Sequence, residues 1–463
     1  MAKKPLSQAL KNYYGVGVLA NVLRGNMGTY YQTYWLTDVA MFPLPLVAVI
    51  QTVSSIVRTF ITPLLGGIID ALPPVNRRWG RYRSWLIVGS LASLIGAPFM
   101  WLRLSPNDQI AAFLYIAISL LASIPGSIML QANSALIPLV CSTPEEKSLL
   151  SSRSFMYQNV GRLISSYTIA NFVVFMVGKG YAEGTAYIVL SVVFAILTVI
   201  AFYAHFKMTE GYEGEGAEVS TAKRKAKDRA SISDIVKNFI LNPPLMYLFI
   251  ANIGTSTTSF IFSGVAAYYW RYVAENFAMM SVYTLCINIG GILGTILAGR
   301  LAMKYDTRKL SMVALCCMAG AFVLARMVAL SSPVLFICCM VFHQFAASFN
   351  YPLFVSMYTS CVTYGEWKTG QNAAGFIMGL TNVPISIATT LRGIIIPIAL
   401  ASSGYVANQP ATPAVKAGLV NIYVQWPIAF LALSFIIMAF FFRLSNDRVK
   451  EMQAEIDARN LEA

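Results

Sequence analysis

Long apolar segments alternate with short polar ones along the whole chain. A helix needs roughly 20 mainly apolar residues to cross the hydrocarbon core of a bilayer, and twelve segments meet that requirement. We predict these spans at residues 13–37, 46–70, 84–104, 110–138, 155–178, 185–206, 243–268, 278–302, 310–329, 333–358, 373–402 and 419–442. The pattern therefore predicts an all-α polytopic membrane protein with 12 transmembrane helices.

One long polar stretch separates the sixth span from the seventh. It is rich in Gly, Glu, Lys and Ser, which is typical of a loop or a surface helix. We predict an N-terminal six-helix bundle over 1–207, a cytoplasmic linker over 208–242, a C-terminal six-helix bundle over 243–442 and a cytoplasmic tail over 443–463. In each half the second span carries glycines and is followed by a basic turn, and such repeats are typical of secondary transporters.

The composition agrees with a membrane protein. Of the 463 residues, 57% are hydrophobic and 12% are charged, whereas soluble domains have about 25% charged residues. The basic residues concentrate in loops on the side of the termini, so the positive-inside rule places both termini in the cytoplasm. This distribution accounts for the net charge of +14 without nucleic acid as a partner. The seven cysteines show no metal-ligand spacing, so we predict no metal site and no cofactor.

Five stretches of the sequence carry a resemblance to a known family. They are YGVGVLANVLRGNMGTYYQTYWLTDV, PLLGGIIDALPPVNRRWGRYRSWLIVG, ANSALIPLVCSTPEEKSLLSSRS, AAYYWRYV and TYGEWKTGQNAAG. The chain thereby resembles the glycoside–pentoside–hexuronide:cation symporter family of the major facilitator superfamily, whose best-known member is melibiose permease. The resemblance implies the major facilitator fold, two six-helix bundles with alternating access, a sugar-like substrate and no enzymatic activity. It also implies a monomer in the inner (plasma) membrane.

The cation site of this family does not carry over to the present chain. Its members couple uptake to Na⁺, Li⁺ or H⁺ through carboxylates in spans 1, 2 and 4, with a lysine in span 11. On alignment, those positions fall on Val18 or Val22, on Arg58 and Thr62, near Leu130 and near Ser386. No Asp or Glu lies deep within any predicted span, so the usual cation site is missing.

Arginine is the charged residue that remains deep in the predicted spans. Arg58 lies about 12 residues, or ~18 Å, into its span, and Arg24 is similarly central. A charge at that depth costs roughly 2.5–3.5 kcal/mol on insertion scales and normally faces a cavity or a partner. Guanidinium binds carboxylate, sulfonate or phosphate in a bidentate manner. We therefore expect an anionic solute such as a hexuronide or another acidic sugar derivative; the alternative is that these arginines cap backbone carbonyls or snorkel.

Neighbouring side chains at helical spacing extend this candidate site. The predicted substrate-binding residues are Arg24, Arg58, Asn21, Tyr31, Trp35, Thr62, Gln158, Arg162, Asn252 and Ser256. His343 is the candidate for proton coupling because it titrates near neutral pH, with a hydrogen-bonded structural histidine as the alternative. The residues expected to gate the two conformations are Asp70, Arg77, Arg78, Arg81, Glu366 and Lys368.

Other functions remain open on the sequence alone. A membrane enzyme is disfavoured because no catalytic cluster is present, and a channel is disfavoured because no pore loop repeats. A symporter of neutral glycosides with a rebuilt cation site and a carrier of a phosphate-bearing lipid are the alternatives. We expect a small-molecule substrate, H⁺ or Na⁺ as the candidate co-substrate, and the lipid bilayer as the surrounding partner.

Overall fold

A computed structural model of the protein describes residues 5–71, 79–141, 143–213, 242–302, 304–369, 377 and 380–462. These residues are almost entirely helical and contain no strand. The helices are α1 (Gln8–Tyr13), α2 (Val16–Tyr34), α3 (Leu44–Ala71), α4 (Arg81–Phe99), α5 (Asp108–Val140), α6 (Pro144–Gly178), α7 (Glu183–Met208), α8 (Pro243–Tyr268), α9 (Met279–Ala302), α10 (Thr307–Val328), α11 (Pro333–Thr369), α12 (Val383–Ser402), α13 (Pro413–Ile436) and α14 (Asn446–Glu462).

Helices α2 to α13 correspond in order to the twelve predicted spans. Ten of them are long and apolar enough to cross a membrane, judged over the described residues alone. The other two, α2 and α4, have 19 residues each. At 1.5 Å per residue each is ~28 Å long, close to the ~30 Å hydrocarbon core. The predicted polytopic helical architecture is confirmed.

Several helices extend beyond the apolar segments that predicted them. Helix α11 has 37 residues and ends at Thr369, whereas the predicted span ended at residue 358. Its last turns therefore include the TYGEWKT motif. Helix α6 has 35 residues and begins at Pro144, well before the predicted span at residue 155. A membrane helix can extend beyond the hydrocarbon core, and a search for apolar residues does not detect the polar turns at its ends.

The chain forms two compact units. The first comprises Met1–Lys227, Phe277–Thr284 and Val406–Asn408; the second comprises Asp228–Asn276, Leu285–Tyr405 and Gln409–Ala463. The two units repeat one packing pattern. In the first, α2 packs on α6 and α7, and α4 packs on α5 and α7; in the second, α8 packs on α12 and α13, and α10 packs on α11 and α13. The repeat that the sequence indicated is therefore also a repeat of helix packing.

The first long helix of each unit ends in the same backbone conformation. Helix α2 continues into a π-helical turn at Trp35–Val39, and α8 continues into one at Tyr269–Val273. In both, the residue after the turn donates its backbone N–H to the carbonyl at the turn's start, at 2.8 and 2.9 Å. One residue further on, Met41 and Glu275 have φ angles of 56° and 54°. A match of this detail strengthens the evidence for an internal repeat.

The start of α4 is held by a residue that follows α7. The Glu213 carboxylate accepts hydrogen bonds from the backbone N–H groups of Tyr82 at 2.9 Å and Arg83 at 3.2 Å. Gly80 precedes the helix with φ 84° and ψ 169°, a conformation that is essentially restricted to glycine. A carboxylate at a helix N-terminus interacts favourably with the helix dipole. The first residues of the predicted linker therefore belong structurally to the first unit.

The C-terminal segment is a helix that packs on the second unit. The Trp367 indole Nε1 at the end of α11 donates to the Glu455 carboxylate of α14 at 2.6 Å. The Arg459 guanidinium of α14 donates to the Trp367 carbonyl at 3.1 Å. At the start of α14, the backbone N–H of Asn446 donates to the Asp306 carboxylate at 3.0 Å. These contacts connect α14 to the end of α11 and to the turn before α10.

Candidate solute-binding sites

Arg24 reaches from α2 onto α5 in the first unit. It is the ninth of the 19 residues of α2, so it lies ~12 Å along a helix of ~28 Å. A Cβ atom added at Gly126 would lie 2.8 Å from the Arg24 Nη2 and 3.6 Å from the Ser93 Oγ. The guanidinium therefore occupies space that exists because residue 126 lacks a side chain. On its own helix, the Arg24 Nη2 donates to the Asn21 Oδ1 at 3.4 Å, which is a long hydrogen bond.

The Ser93 hydroxyl of α4 lies near the same glycine, 3.6 Å from the position of the added Cβ. Its Oγ is buried and has no hydrogen-bond partner within the described part of the chain. Buried polar atoms are normally hydrogen-bonded, so an orphan such as this requires an explanation.

Arg58 lies in the middle of α3. It is the fifteenth of the helix's 28 residues, ~21 Å along a helix of ~42 Å. Its Nε donates to the Ser54 carbonyl one turn earlier at 3.2 Å, which uses one of its five donors. The Ser54 Oγ lies 3.3 Å from the Ser119 Oγ of α5. The Tyr115 hydroxyl, one turn before Ser119 on α5, accepts a hydrogen bond from the Gln32 Nε2 at 3.0 Å.

Neither of these two arginines forms an ion pair with a described carboxylate. The ion pairs among the described residues lie in loops and at helix ends; they are Arg103–Asp108, Lys207–Glu210, Lys416–Glu275, Arg448–Glu451 and Lys450–Asp447. A charge removed from water is costly unless it is paired and hydrogen-bonded. The first unit thus contains two mid-helix guanidinium groups whose charge an anion would compensate.

Gln158 and Arg162 lie together on α6. The Arg162 Nη2 and the Gln158 Oε1 are 3.5 Å apart. One turn further on, the Ser165 Oγ donates to the Arg162 carbonyl at 2.9 Å and accepts from the Asn26 Nδ2 of α2 at 2.7 Å. The structure thus brings the predicted pair together, and Asn26 connects this part of α6 to α2.

Tyr31 and Trp35 are covered by other aromatic rings. Each is 2% exposed. The Tyr31 ring centroid lies 6.1 Å from that of Tyr187, and the Trp35 centroid lies 5.8 Å from that of Trp101 and 5.9 Å from that of Tyr115. In this conformation both rings contact protein rather than an open cavity. Their role in stacking on a sugar ring stays a prediction.

In the second unit, a cavity of about 180 Å³ lies among α8, α10, α11 and the start of α12. Asn252 and Ser256, both predicted to bind substrate, line it together with Ser259, Asn350 and Tyr358. The remaining lining residues are a mixture of apolar side chains and further hydroxyl or amide groups, and none of the described lining residues is charged. This site therefore differs chemically from the arginine site of the first unit.

Hydrogen bonds between helices fix the polar wall of this cavity. The Asn252 Nδ2 of α8 donates to the Tyr358 hydroxyl of α11 at 3.2 Å, and the Ser256 Oγ donates to the Asn252 Oδ1 at 3.2 Å. On the other side, the Ser311 Oγ of α10 donates to the Asn350 Oδ1 at 3.0 Å. The amides are therefore oriented by neighbours while their remaining donors and acceptors stay available to a ligand.

His343 is fully enclosed by the second unit. Its exposure is 0%, and neither ring nitrogen has a hydrogen-bond partner in the described part of the chain. Its ring centroid lies 5.1 Å from that of Phe262 and 4.4 Å from that of Phe322. A proton carrier must exchange protons with water or a relay group. This packing favours a structural histidine, and proton coupling through His343 stays a prediction.

The side chains of most of the predicted gating residues lie outside the described part of the chain. The predicted site and gate residues whose side chains lie outside the described residues are Thr62, Asp70, Arg77, Arg78 and Arg81. Glu366 and Lys368 lie on the last turns of α11, next to the contact with α14. The Lys368 Nζ lies 5.8 Å from the centroid of the Tyr364 ring, within range of a cation–π interaction.

Several neighbours of the candidate sites were not selected from the sequence. Gly126 and Ser93 are among them, because nothing in a single sequence shows that they lie beside Arg24. Asn350 and Tyr358 were also missed, although their spacing carried a signal. They are eight residues apart on α11, slightly more than two helical turns, and so share a face. A search for paired polar residues at that spacing would have selected them.

Comparisons with known proteins agree with the helical membrane architecture. The family model described as MFS/sugar transport protein matches residues 13–446. The chain is 22% identical over 455 residues to a "Glucuronide carrier protein homolog" of Escherichia coli (strain K12), covering 96% of this chain and 94% of that one. It is 22% identical over 435 residues to an "Isoprimeverose transporter" of Lactiplantibacillus pentosus, covering 92% and 87%. The crystal structure of a D-xylose-proton symporter superposes with a TM-score of 0.63 at 14% identity, covering 92% of this chain and 96% of that one.

Proposed function

We propose, from the premise that this chain belongs to the MFS/sugar transport protein family, that it moves an anionic sugar-like solute across the inner membrane by alternating access. Membership makes the chain a multi-pass membrane transporter of a sugar or similar solute. The proposal adds the negative charge of the solute, a hexuronide or another acidic glycoside derivative. It also places both termini in the cytoplasm, as the distribution of basic loop residues indicates.

The observation that carries the proposal is the pair of mid-helix arginines without carboxylate partners. Arg24 and Arg58 lie near the middle of α2 and α3 respectively. The protein partners described for Arg24 and Arg58 are an amide oxygen at 3.4 Å and a backbone carbonyl at 3.2 Å. Neither partner carries a charge. A carboxylate or sulfonate of the solute would compensate these charges and bind a guanidinium in a bidentate manner.

Relatives support a solute of this type without deciding its charge. One is named a glucuronide carrier homolog and another an isoprimeverose transporter. A glucuronide carries a carboxylate, and isoprimeverose is a neutral sugar. The charge of the solute that this chain carries must therefore be argued from its own residues, and these are arginines.

Uptake into proteoliposomes tests the proposal. Labelled glucuronate is compared with labelled glucose for the wild type, Arg58→Gln and Arg58→Lys. A hydrogen bond to a charged group contributes about 1.5–3 kcal/mol, so Arg58→Gln should lower kcat/KM for glucuronate roughly 10- to 150-fold. Arg58→Lys retains the charge without the bidentate geometry and should fall between the two. Uptake of glucose alone, unchanged in Arg58→Gln, would contradict the proposal.

A symporter of neutral glycosides is the second candidate, and the uncharged cavity of the second unit favours it. The same vesicles distinguish the two candidates when imposed Na⁺ and pH gradients are added in turn. A neutral-glycoside symporter would accumulate glucose only with one of these gradients. On the anion proposal, either cation would act as a co-substrate of glucuronate, and the gradient that drives its accumulation identifies the coupling ion.

A further inference from the structure

The cavity of the second unit has the chemistry of a site for hydroxyl groups. Asn252 has two amide N–H donors and a carbonyl oxygen with two lone pairs. Its described hydrogen bonds use one N–H, toward Tyr358, and one lone pair, toward Ser256. One donor and one acceptor are left on a side chain that lines the cavity. Ser259 donates to the Thr255 carbonyl at 3.2 Å, and its hydroxyl keeps acceptor capacity.

The polar, uncharged and apolar residues that line the cavity indicate which class of ligand it could bind. A ligand group that both donates and accepts, such as a hydroxyl, matches a wall of amides and hydroxyls. A carboxylate or sulfonate would find no cation among the described lining residues. Met318, Phe354 and Ile385 supply an apolar side to the same cavity. A sugar ring has this combination, since its hydroxyls lie at the edge and its C–H groups on the faces.

The size of the cavity agrees with a small ring. A single water needs roughly 10–15 Å³ of such volume, and pockets for drug-sized ligands run to roughly 300–1,000 Å³. At about 180 Å³, the cavity is too large for one structural water and smaller than a drug-sized pocket.

We propose that this cavity recognises the uncharged, hydroxyl-bearing part of the transported solute, a sugar ring or a polyol chain. The inference rests on the proposed function in that the solute is sugar-like. The recognition groups of this cavity come from α8, α10, α11 and α12 of the second unit alone. Discrimination by this cavity depends on the number of hydroxyls in the solute and is independent of the solute's charge.

Two anions that differ in their hydroxyls provide the test. Glucuronate and cyclohexanecarboxylate share a six-membered ring and a carboxylate, and the second lacks the hydroxyls and the ring oxygen. Each is used unlabelled to inhibit uptake of labelled glucuronate into proteoliposomes, and the ratio of the two inhibition constants measures recognition of the hydroxyls. The variants are Asn252→Leu and, as a smaller change, Ser256→Ala.

Ser263→Ala is the matched control. Ser263 lies on the same helix, seven residues after Ser256, and is not among the residues that line the cavity. Its hydroxyl donates to the Phe260 carbonyl at 3.1 Å. The substitution removes the same atom as Ser256→Ala at a site that contacts no ligand on this proposal.

The expected result is a change in one inhibition constant only. Asn252→Leu should weaken inhibition by glucuronate about tenfold and Ser256→Ala about threefold, because a site that loses a hydrogen-bonding group loses its preference for hydroxyls. Inhibition by cyclohexanecarboxylate should stay unchanged, as should both constants in Ser263→Ala. An unchanged ratio in both cavity variants, with normal amounts of folded protein, would overturn the inference.

Failure of the proposed function gives a different result. In that case the wild type takes up glucose, and glucuronate does not inhibit. The ratio is then measured with glucose and cyclohexanemethanol as inhibitors of glucose uptake. If Asn252→Leu loses the preference for glucose over cyclohexanemethanol, the cavity inference is supported although the proposal of an anionic solute has failed. If the preference is unchanged, the cavity inference is overturned together with the proposed function.

Discussion

Gly126→Ala is the change that tests the Arg24 site most directly. It adds one methyl group to α5 without replacing any charged residue. The new Cβ would lie 2.8 Å from the Arg24 Nη2, and ordinary van der Waals contact begins at 3.4 Å. The guanidinium must therefore move by about 0.6 Å or more from its place beside Gly126. The guanidinium is the end of a flexible side chain and can give way without displacing backbone.

We expect Gly126→Ala to affect the stability of the fold and the binding of glucuronate in opposite directions. In a helix interior, alanine is favoured over glycine by about 1 kcal/mol, so the fold should be as stable as the wild type or slightly more stable. Binding should suffer, because a displacement of about 1 Å at a binding group can cost up to ~100-fold. For the smaller shift at Arg24 we expect a rise in the KM for glucuronate of about tenfold, equivalent to about 1.4 kcal/mol.

The assay is uptake of labelled glucuronate into proteoliposomes, together with thermal unfolding of the purified protein. Gly28→Ala is the matched control, because a Cβ at Gly28 meets nothing within 4 Å. The double variant Arg24→Gln with Gly126→Ala shows whether the effect passes through the guanidinium; if it does, the second substitution adds little to the first. An equal effect of Gly28→Ala, or a tenfold effect of Gly126→Ala that persists in Arg24→Gln, would refute the reasoning.

Three further predictions concern other parts of the chain. Gly80→Ala should destabilise the protein by at least about 2 kcal/mol, because alanine disfavours this backbone conformation and its methyl group displaces the Glu213 carboxylate from α4. The apparent melting temperature in detergent measures the change, and a melting temperature equal to that of the wild type would contradict the prediction. His343→Leu should leave the thermal stability equal to that of the wild type or higher, because both ring nitrogens lack hydrogen-bond partners in the described part of the chain. It should also leave the pH dependence of uptake unchanged, and a changed pH profile would instead support proton coupling through His343. Trp367→Phe removes the donor to Glu455 and should increase the rate at which protease cleaves within α14, by up to about fivefold; equal cleavage would show that this contact does not hold the helix.

The helices were predictable because the bilayer imposes one strong rule. A chain inside hydrocarbon must satisfy its own backbone, so each long apolar segment becomes a helix. The same rule explains the errors at the ends. Helix α11 runs past its apolar segment to Thr369, where its last turn is stabilised by α14 rather than by lipid. Contacts between distant segments, such as Trp367 with Glu455, leave no mark in local hydropathy.

Residues of the candidate arginine site could be predicted from the sequence where one residue is unusual by itself. They could not be predicted where the site depends on contact between two ordinary residues. Arg58 could be selected because a charge in an apolar helix is costly wherever it points. Tyr31 could be placed on the same face as Arg24 by helical spacing, but spacing gives no information about the ring of Tyr187 packed across from it. Gly126 is ordinary in its own helix, and its importance comes only from the guanidinium that occupies the space beside it.

The absence of the family's carboxylates and the presence of a mid-helix arginine can be understood as one chemical change. Cation-coupled relatives hold carboxylates in spans 1, 2 and 4, and a bound Na⁺ or H⁺ compensates their charge. On the alignment that the family resemblance implies, one of those positions holds Arg58 in this chain, and the charge that needs compensation is positive. On the proposed function, the solute itself supplies the counter-charge. A change in the sign of the fixed charge therefore moves the compensating charge from the coupling ion to the substrate, and the same scaffold needs no carboxylate at the family's positions.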